Sequence, residues 1–330
     1  MKPITLVGGY GHVGSKIARR LRDAGLPVRI AGRDVLRAKA LADQLGTDAA
    51  RLDLDDATSW DAALKESGPL VVCLDTATTQ FASAVLTRGL GYVDISATDA
   101  VLQRHESLDP LARSNGALAV LSVGLAPGLT NLMALEALRG LDRVESLTIG
   151  VLLGLGDSHG AAAIDWTLDS LRPLPPDAVQ RLDFASGPVP TIPFDFADQH
   201  VLTRAGIPAV TTRLGLGSPL VTGASLRLLS ALAPRPMVRK FLRWSLPRFR
   251  VGSDRTGLVI IAEGWRDGAR VTRRLTLDGR AEAEITALVA ARVARDIATR
   301  TETGVHHIQT LWQLADLAPD LAAEGITLSA

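Results

Sequence analysis

The chain reads as an α/β protein: an N-terminal doubly wound parallel sheet, then a second α+β domain on a mainly antiparallel sheet. Three observations predict this. A short apolar strand, 4–7, runs into a glycine-rich turn and then an amphipathic helix. Strand and helix patterns alternate from there to Val123, as parallel βαβ units require. Beyond that point long apolar strands follow one another with few crossover helices between them.

The opening turn is Val7-Gly8-Gly9-Tyr10-Gly11-His12-Val13-Gly14. It satisfies two spacings at once, GxGxxG from Gly9 and GxxGxxG from Gly8, and the following Ile17, Ala18 and Leu21 fall on one helical face. Strand, glycine turn and helix are the start of a dinucleotide-binding Rossmann unit. Its backbone N–H groups approach a pyrophosphate at the positive end of the helix. Gly8, Gly9, Tyr10, Gly11, His12, Val13 and Gly14 are therefore cofactor-binding candidates.

The next strand, 28–31, ends in Gly32-Arg33-Asp34, ahead of a helix predicted over 35–45. An acid at this strand tip accepts the ribose hydroxyls of NAD, whereas an arginine accommodates the 2′-phosphate of NADP. Arg33 comes first and Asp34 is placed to cap the helix, so the expected cofactor is NADP. The competing reading is an ordinary exposed loop arginine.

A third strand is expected within 50–56, placing Asp53 and Leu54 at the edge of the adenine pocket. Strands over 70–74, 92–96 and 117–123 follow. In open α/β sheets ligands collect at the carboxyl ends of strands, where Asp75, Thr76, Asp94, Ser96, Ser122 and Gly124 fall. Cys73, the single cysteine, excludes an intramolecular disulfide and reads as an inert core thiol. At Gly124-Leu125-Ala126-Pro127-Gly128-Leu129-Thr130-Asn131 a strand ends, Pro–Gly turns the chain, and a helix runs on to Leu138. By spacing alone, a domain-linking corner and a ligand-facing turn are equally good readings.

Strands are predicted over 144–153, 209–214, 257–266 and 269–277, with helices near 161–171, 220–232 and 281–300. Arg266-Asp267-Gly268 marks a β-hairpin. The expected domains are 1–127 and 128–330, with C-terminal helices able to return to the first. Gly156-Asp157-Ser158-His159-Gly160 joins a strand to a helix carrying Asp165 and Trp166. His159 titrates near working pH and is a candidate proton donor; a surface turn with a capping aspartate is the alternative. Phe194-Asp195-Phe196-Ala197-Asp198-Gln199-His200 is as well explained by capping and packing as by catalysis. His306 and His307 are adjacent and would face opposite sides of an extended segment, against a metal pair.

With 330 residues, 47% of them hydrophobic and 22% charged, the chain can bury two cores. A net charge of +1 and a pI near 8.0 do not call for nucleic acid. The first strand begins too early for a signal peptide, and the apolar runs are broken before spanning length, so a cytoplasmic location is expected. One stretch departs from the average. Residues 234–250 hold Arg235, Arg239, Lys240, Arg243, Arg248 and Arg250 interleaved with Met237, Phe241, Trp244, Leu246 and Phe249, and no acid occurs between Asp198 and Asp254. A solvated face is the simplest reading. A basic lid over an anionic or lipid-like substrate, or a membrane-surface contact, is the alternative.

The corner at 124–131 resembles the saccharopine dehydrogenase-like family of NAD(P)-dependent oxidoreductases. So do Gly8 to Gly14, Ala31-Gly32-Arg33-Asp34, Tyr92-Val93-Asp94-Ile95-Ser96, Gly156 to Gly160 and Gly304-Val305-His306-His307-Ile308. The resemblance implies NADP-dependent hydride transfer to or from a C=N bond of an amine or amino acid, in a homodimer acting on a small molecule. It leaves two alternatives: an enoyl reductase acting on a lipid or polyketide chain, and a non-catalytic NADP sensor. Neither Tyr10 nor Tyr92 has a lysine four residues on, which disfavours short-chain dehydrogenase chemistry. On this reading NADP lies across the strand ends with nicotinamide toward Thr76, Ser122 and Gly124, and Asp94 and His159 are the catalytic candidates.

Overall fold

The computed structural model describes residues 2–76, 78–156, 161–175, 177–218, 221–245 and 252–330. The chain divides into two compact units, Met1–Leu129 with Thr286–Gln313, and Thr130–Ile285 with Leu314–Ala330.

The first unit begins β1 (Ile4–Val7), α1 (His12–Asp23), β2 (Val28–Gly32), α2 (Val35–Leu45) and β3 (Asp48–Arg51). It continues α3 (Trp60–Lys65), β4 (Leu70–Val72), α4 (Gln80–Thr87), β5 (Tyr92–Asp94), α5 (Asp99–Glu106), α6 (Asp109–Ser114) and β6 (Leu118–Leu121). β1, β4, β5 and β6 are buried along their whole length, as strands covered by helices on both faces must be. α1 sets Gly14, Ile17, Ala18 and Leu21 against the sheet. The third strand lies two residues earlier than the sequence suggests and stops at Arg51, because Asp53 and Asp56 instead fold into a local turn that caps the 3-10 helix Ala57–Ser59. β4 likewise stops at Val72, one residue short of Cys73, whose N–H still bonds the Val7 carbonyl at 2.9 Å.

The second unit holds α7 (Thr130–Leu138), β7 (Arg143–Leu153), α8 (Ala161–Ser170), β8 (Gln180–Phe184), β9 (Gly187–Pro193), α9 (Ala197–Arg204) and β10 (Val210–Leu216). After these come α10 (Gly223–Leu232), α11 (Pro236–Ser245), β11 (Arg255–Arg266), β12 (Ala269–Arg280) and the start of α12 (Glu282–Asp296). β11 and β12 pair along twelve residues each through the Asp267–Gly268 turn, where both residues have positive φ (52° and 76°), as a two-residue hairpin demands. The β8–β9 hairpin is not evident in the sequence because Pro188, Pro190 and Pro193 argue against a strand. β10 pairs with β9 only at Thr191 to Pro193, so Pro188 and Pro190 sit where β9 has one side free of β10.

The chain then returns to the first unit as β13 (Gly304–His307) and α13 (Ile308–Leu311), and ends in the second with α14 (Leu314–Ala323) and β14 (Thr327–Ser329). The first sheet is wholly parallel, in the order β3-β2-β1-β4-β5-β6-β13. The second runs β14-β12-β11-β7-β10-β9-β8 and is antiparallel except between β7 and β10. In the first sheet the strand order reverses between β1 and β4, the crevice where doubly wound sheets bind ligands.

Candidate active site at the carboxyl ends of the parallel strands

The glycine turn follows β1 at this crevice. Its close contacts dictate its composition: a Cβ on Gly14 would lie 2.6 Å from the Gly8 carbonyl oxygen and 2.8 Å from the Gly9 Cα. Backbone thus meets backbone where any side chain would intrude. Gly11 is the N-cap of α1 and supplies no side-chain cap, so the first turn keeps the partial positive charge of its amides. Leu74, after β4, lies over Gly8. Gly8 and Gly9 are buried, and Tyr10, Gly11, His12 and Val13 half-buried. A cradle that only glycine fits, at an uncapped helix N-terminus, suits a pyrophosphate.

At the tip of β2 the structure assigns the two charged residues different work. Asp34 caps α2, its carboxylate accepting the N–H groups of Leu36 and Arg37 at 3.1 Å each. Arg33 is exposed and makes no hydrogen bond or ion pair among the described residues. A second arginine joins it that sequence spacing did not single out. Arg37 lies one helical turn on, its guanidinium 4.7 Å from the centroid of the Tyr10 ring. Tyr10 in turn lies against Gly32, where a Cβ would come 2.4 Å from the ring, and its hydroxyl accepts the Asp34 N–H at 3.2 Å. Tyr10 therefore links the glycine turn to Arg37 and to the backbone beside Arg33. Asp53 and Leu54 lie half-buried after β3; the Asp53 carboxylate accepts the Asp55 N–H and its carbonyl the Trp60 indole N–H at 2.7 Å.

Beyond β4, Asp75 is exposed and held by two hydroxyls, Ser96 Oγ and Thr98 Oγ1, the latter at 2.5 Å. Thr76 is half-buried, its hydroxyl donating to the Thr78 carbonyl and its carbonyl accepting from Arg104. Asp94 ends β5 and is wholly buried. Its Oδ1 accepts the Ser96 N–H at 2.6 Å, Tyr92 donates to Oδ2, and His105 Nε2 stands 3.9 Å away. Burial pushes the Asp94 carboxyl up to about 6, against the opposing pull of His105 and the Ser96 N–H. With no exposed surface, Asp94 is placed to position Ser96, and through it Asp75, rather than to meet a ligand itself. Burial and then Asp94 push the neighbouring Cys73 thiol up to about 12, so it stays protonated at neutral pH.

β13 brings in the feature that residue spacing could not show. Ser122 Oγ lies 2.8 Å from His307 Nδ1, and His307 Nε2 lies 3.0 Å from Glu106 Oε1. The carboxylate accepts only, so Nε2 carries the proton and Nδ1 takes the serine hydroxyl's hydrogen. Ser122 is buried, with φ +58°, a conformation rare outside glycine. Gly128 at the corner has φ +137°, and a Cβ there would approach the Ser122 carbonyl oxygen to 2.7 Å. The corner's glycine thus lets the chain fold back on Ser122. Gly124 is buried beside it; the Leu125 N–H donates to Thr286 Oγ1 and the Leu129 N–H to the Gly124 carbonyl, so these two corner amides are already bonded. His306 faces away from His307, bonding the Thr303 carbonyl. His159, with Asp157, Ser158 and Gly160, lies outside the described residues.

Residues 4–120 match the family described as the saccharopine dehydrogenase NADP binding domain. The match takes in the glycine turn and β1 to β5 of the parallel sheet. The chain thus carries, in its first unit, a domain of the kind that binds a nicotinamide dinucleotide. Its fold is similar to that of saccharopine dehydrogenase (L-Glu forming) from Saccharomyces cerevisiae, with TM-score 0.69 and 15% identity over 100% of both chains. It is also similar to C. glutamicum DAP dehydrogenase in complex with DAP, with TM-score 0.51 and 16% identity, over 97% of this chain and 99% of that one. An engineered D-amino acid dehydrogenase matches with TM-score 0.51 and 14% identity, again over 97% and 99%. No curated protein matches the sequence.

Proposed function

We propose that this protein is an NADP-dependent oxidoreductase that forms or reduces the carbon–nitrogen double bond of an amino-acid-like substrate. The observation that carries the cofactor choice is the division of labour after β2, where Asp34 is spent on the helix cap, Arg33 is left exposed and Arg37 lies over Tyr10. The glycine turn would hold the pyrophosphate and the two arginines the 2′-phosphate. When bound, the nicotinamide supplies or accepts the hydride.

The substrate class rests on the chemistry of the strand ends and on the amino acids named for the proteins of similar fold. Asp75, steadied by Ser96 and Thr98, offers a carboxylate suited to an ammonium group. Ser122, as fully buried as Asp94, donates to His307 Nδ1 and positions that half-buried imidazole. A proton taken from an amine would reach His307 Nδ1, the ring nitrogen that carries none, and Glu106 would steady the resulting imidazolium. In the reductive direction the same groups return the proton. Asp94 acts as a positioning residue behind Ser96 and Asp75.

The test is NADPH oxidation against a panel of keto acid and amine pairs, preformed imines and enoyl thioesters, with the amino acids run in reverse with NADP. Turnover confined to the nitrogen-containing substrates is expected. Turnover on enoyl thioesters alone would overturn the substrate class, and activity with NADH but not NADPH would overturn the cofactor choice.

A further inference from the structure

We propose that α11, with the adjoining end of α10, is a docking surface for an anionic membrane. A surface helix ordinarily buries its apolar stripe and turns its charges to water. α11 does otherwise. Met237, Phe241 and Trp244, at i, i+4 and i+7, form one stripe that is 87%, 60% and 50% exposed, and Leu228 of α10 is 59% exposed. The arginines on the other side are turned toward α8, Arg239 to Asp169 and Arg243 to Asp165. These ion pairs hold the helix with its apolar stripe facing out.

The charge around the stripe selects the occupant. Lys240 on α11, Arg235 just before it and Arg227 beside Leu228 are all exposed, and no acidic residue occurs between Asp198 and Asp254. A second copy docked by a two-fold axis would set this basic surface against itself, which like charges oppose. An anionic lipid surface answers both features: headgroups neutralise the cations while methionine and aromatic rings enter the boundary of the acyl region. The ten-residue helix would lie in the plane of the interface. Among the described residues no helix is long and apolar enough to cross a membrane.

The experiment is co-sedimentation of the full chain with vesicles of phosphatidylcholine alone or enriched in phosphatidylserine. NADPH affinity serves as the control for folding. Binding to the phosphatidylserine vesicles only, weakened by salt and accompanied by a blue shift of tryptophan emission, is expected. Phe241→Ser and Met237→Ser should each weaken binding about tenfold through lost apolar insertion, and Lys240→Glu roughly fivefold or more through lost charge. The proposal is overturned if the phosphatidylserine vesicles do not retain the protein, or if these variants bind as the wild type does. It is equally overturned if neutral vesicles bind as well, or if Phe241→Ser dissociates a dimer while vesicles are ignored; an acidic protein partner would show itself as no vesicle binding.

Discussion

Replacing Arg33 and Arg37 by alanine tests the cofactor reading without knowledge of the substrate. A charge-assisted hydrogen bond contributes about 1.5–3 kcal/mol. Both arginines are exposed, so solvent screening puts each at the lower end, and about 1.4 kcal/mol is a factor of ten in affinity. Each single variant should therefore bind NADPH roughly tenfold more weakly. The double variant should fall short of the product, because both side chains would serve one phosphate. NADH lacks that phosphate, and its affinity should change little. Arg37→Ala additionally removes the cation stacked on Tyr10, so a small shared loss for both nucleotides belongs to that position alone. Calorimetric titration of each variant with NADPH and NADH gives the four ratios required. A wild-type protein that binds NADH as tightly as NADPH would refute the reasoning. So would a double variant whose NADPH-to-NADH preference equals that of the wild type.

His307→Gln should lower turnover on an accepted substrate by about 10²–10⁴ through loss of acid–base assistance, and Ser122→Ala by less, through lost positioning of that imidazole, both with NADPH affinity intact; steady-state rates and calorimetry together check this. Gly14→Ala must displace the turn, because its Cβ would meet the Gly8 carbonyl oxygen at 2.6 Å, and NADPH affinity should drop while the second unit's folding is spared; titration and circular dichroism report the two. Asp198 is buried at the start of α9, accepts from Thr130, and is pushed up to about 6 by desolvation. The folded state holds that proton more tightly than the unfolded chain, so the stabilisation is complete below the unfolded value of 3.8 and is lost as pH rises to about 6. Relative to Asp198→Asn, the wild type should lose about 2–3 kcal/mol between pH 4 and 7. Urea midpoints at several pH values measure it, and parallel profiles for the two proteins would contradict it.

Much of the first unit was legible because its signals are local. β1, the glycine turn, α1 and α2 follow from apolar spacing, glycine and an N-cap aspartate, all within a few residues of one another. Strand ends were less so: β3 ends early because side chains nearby supply turn hydrogen bonds that compete with the ladder. β8 and β9 were hidden by prolines tolerated through the way β9 meets its neighbours.

The parallel sheet, the dinucleotide turn, the arginine after β2 and the hairpin at Asp267–Gly268 are legible in the sequence alone. Each depends on contacts between residues close in the chain, where spacing is geometry. The tertiary structure was needed to bury Asp94 wholly and to set the Arg37 guanidinium over Tyr10. It alone brought His307 across 185 residues to Ser122 and on to Glu106. Such pairings depend on which strand lies beside which, and β13 adding itself to β6 is a property of the whole sheet. The orientation of α11 was decided in the same way, since only Asp165 and Asp169 on another helix settle which of its faces meets water.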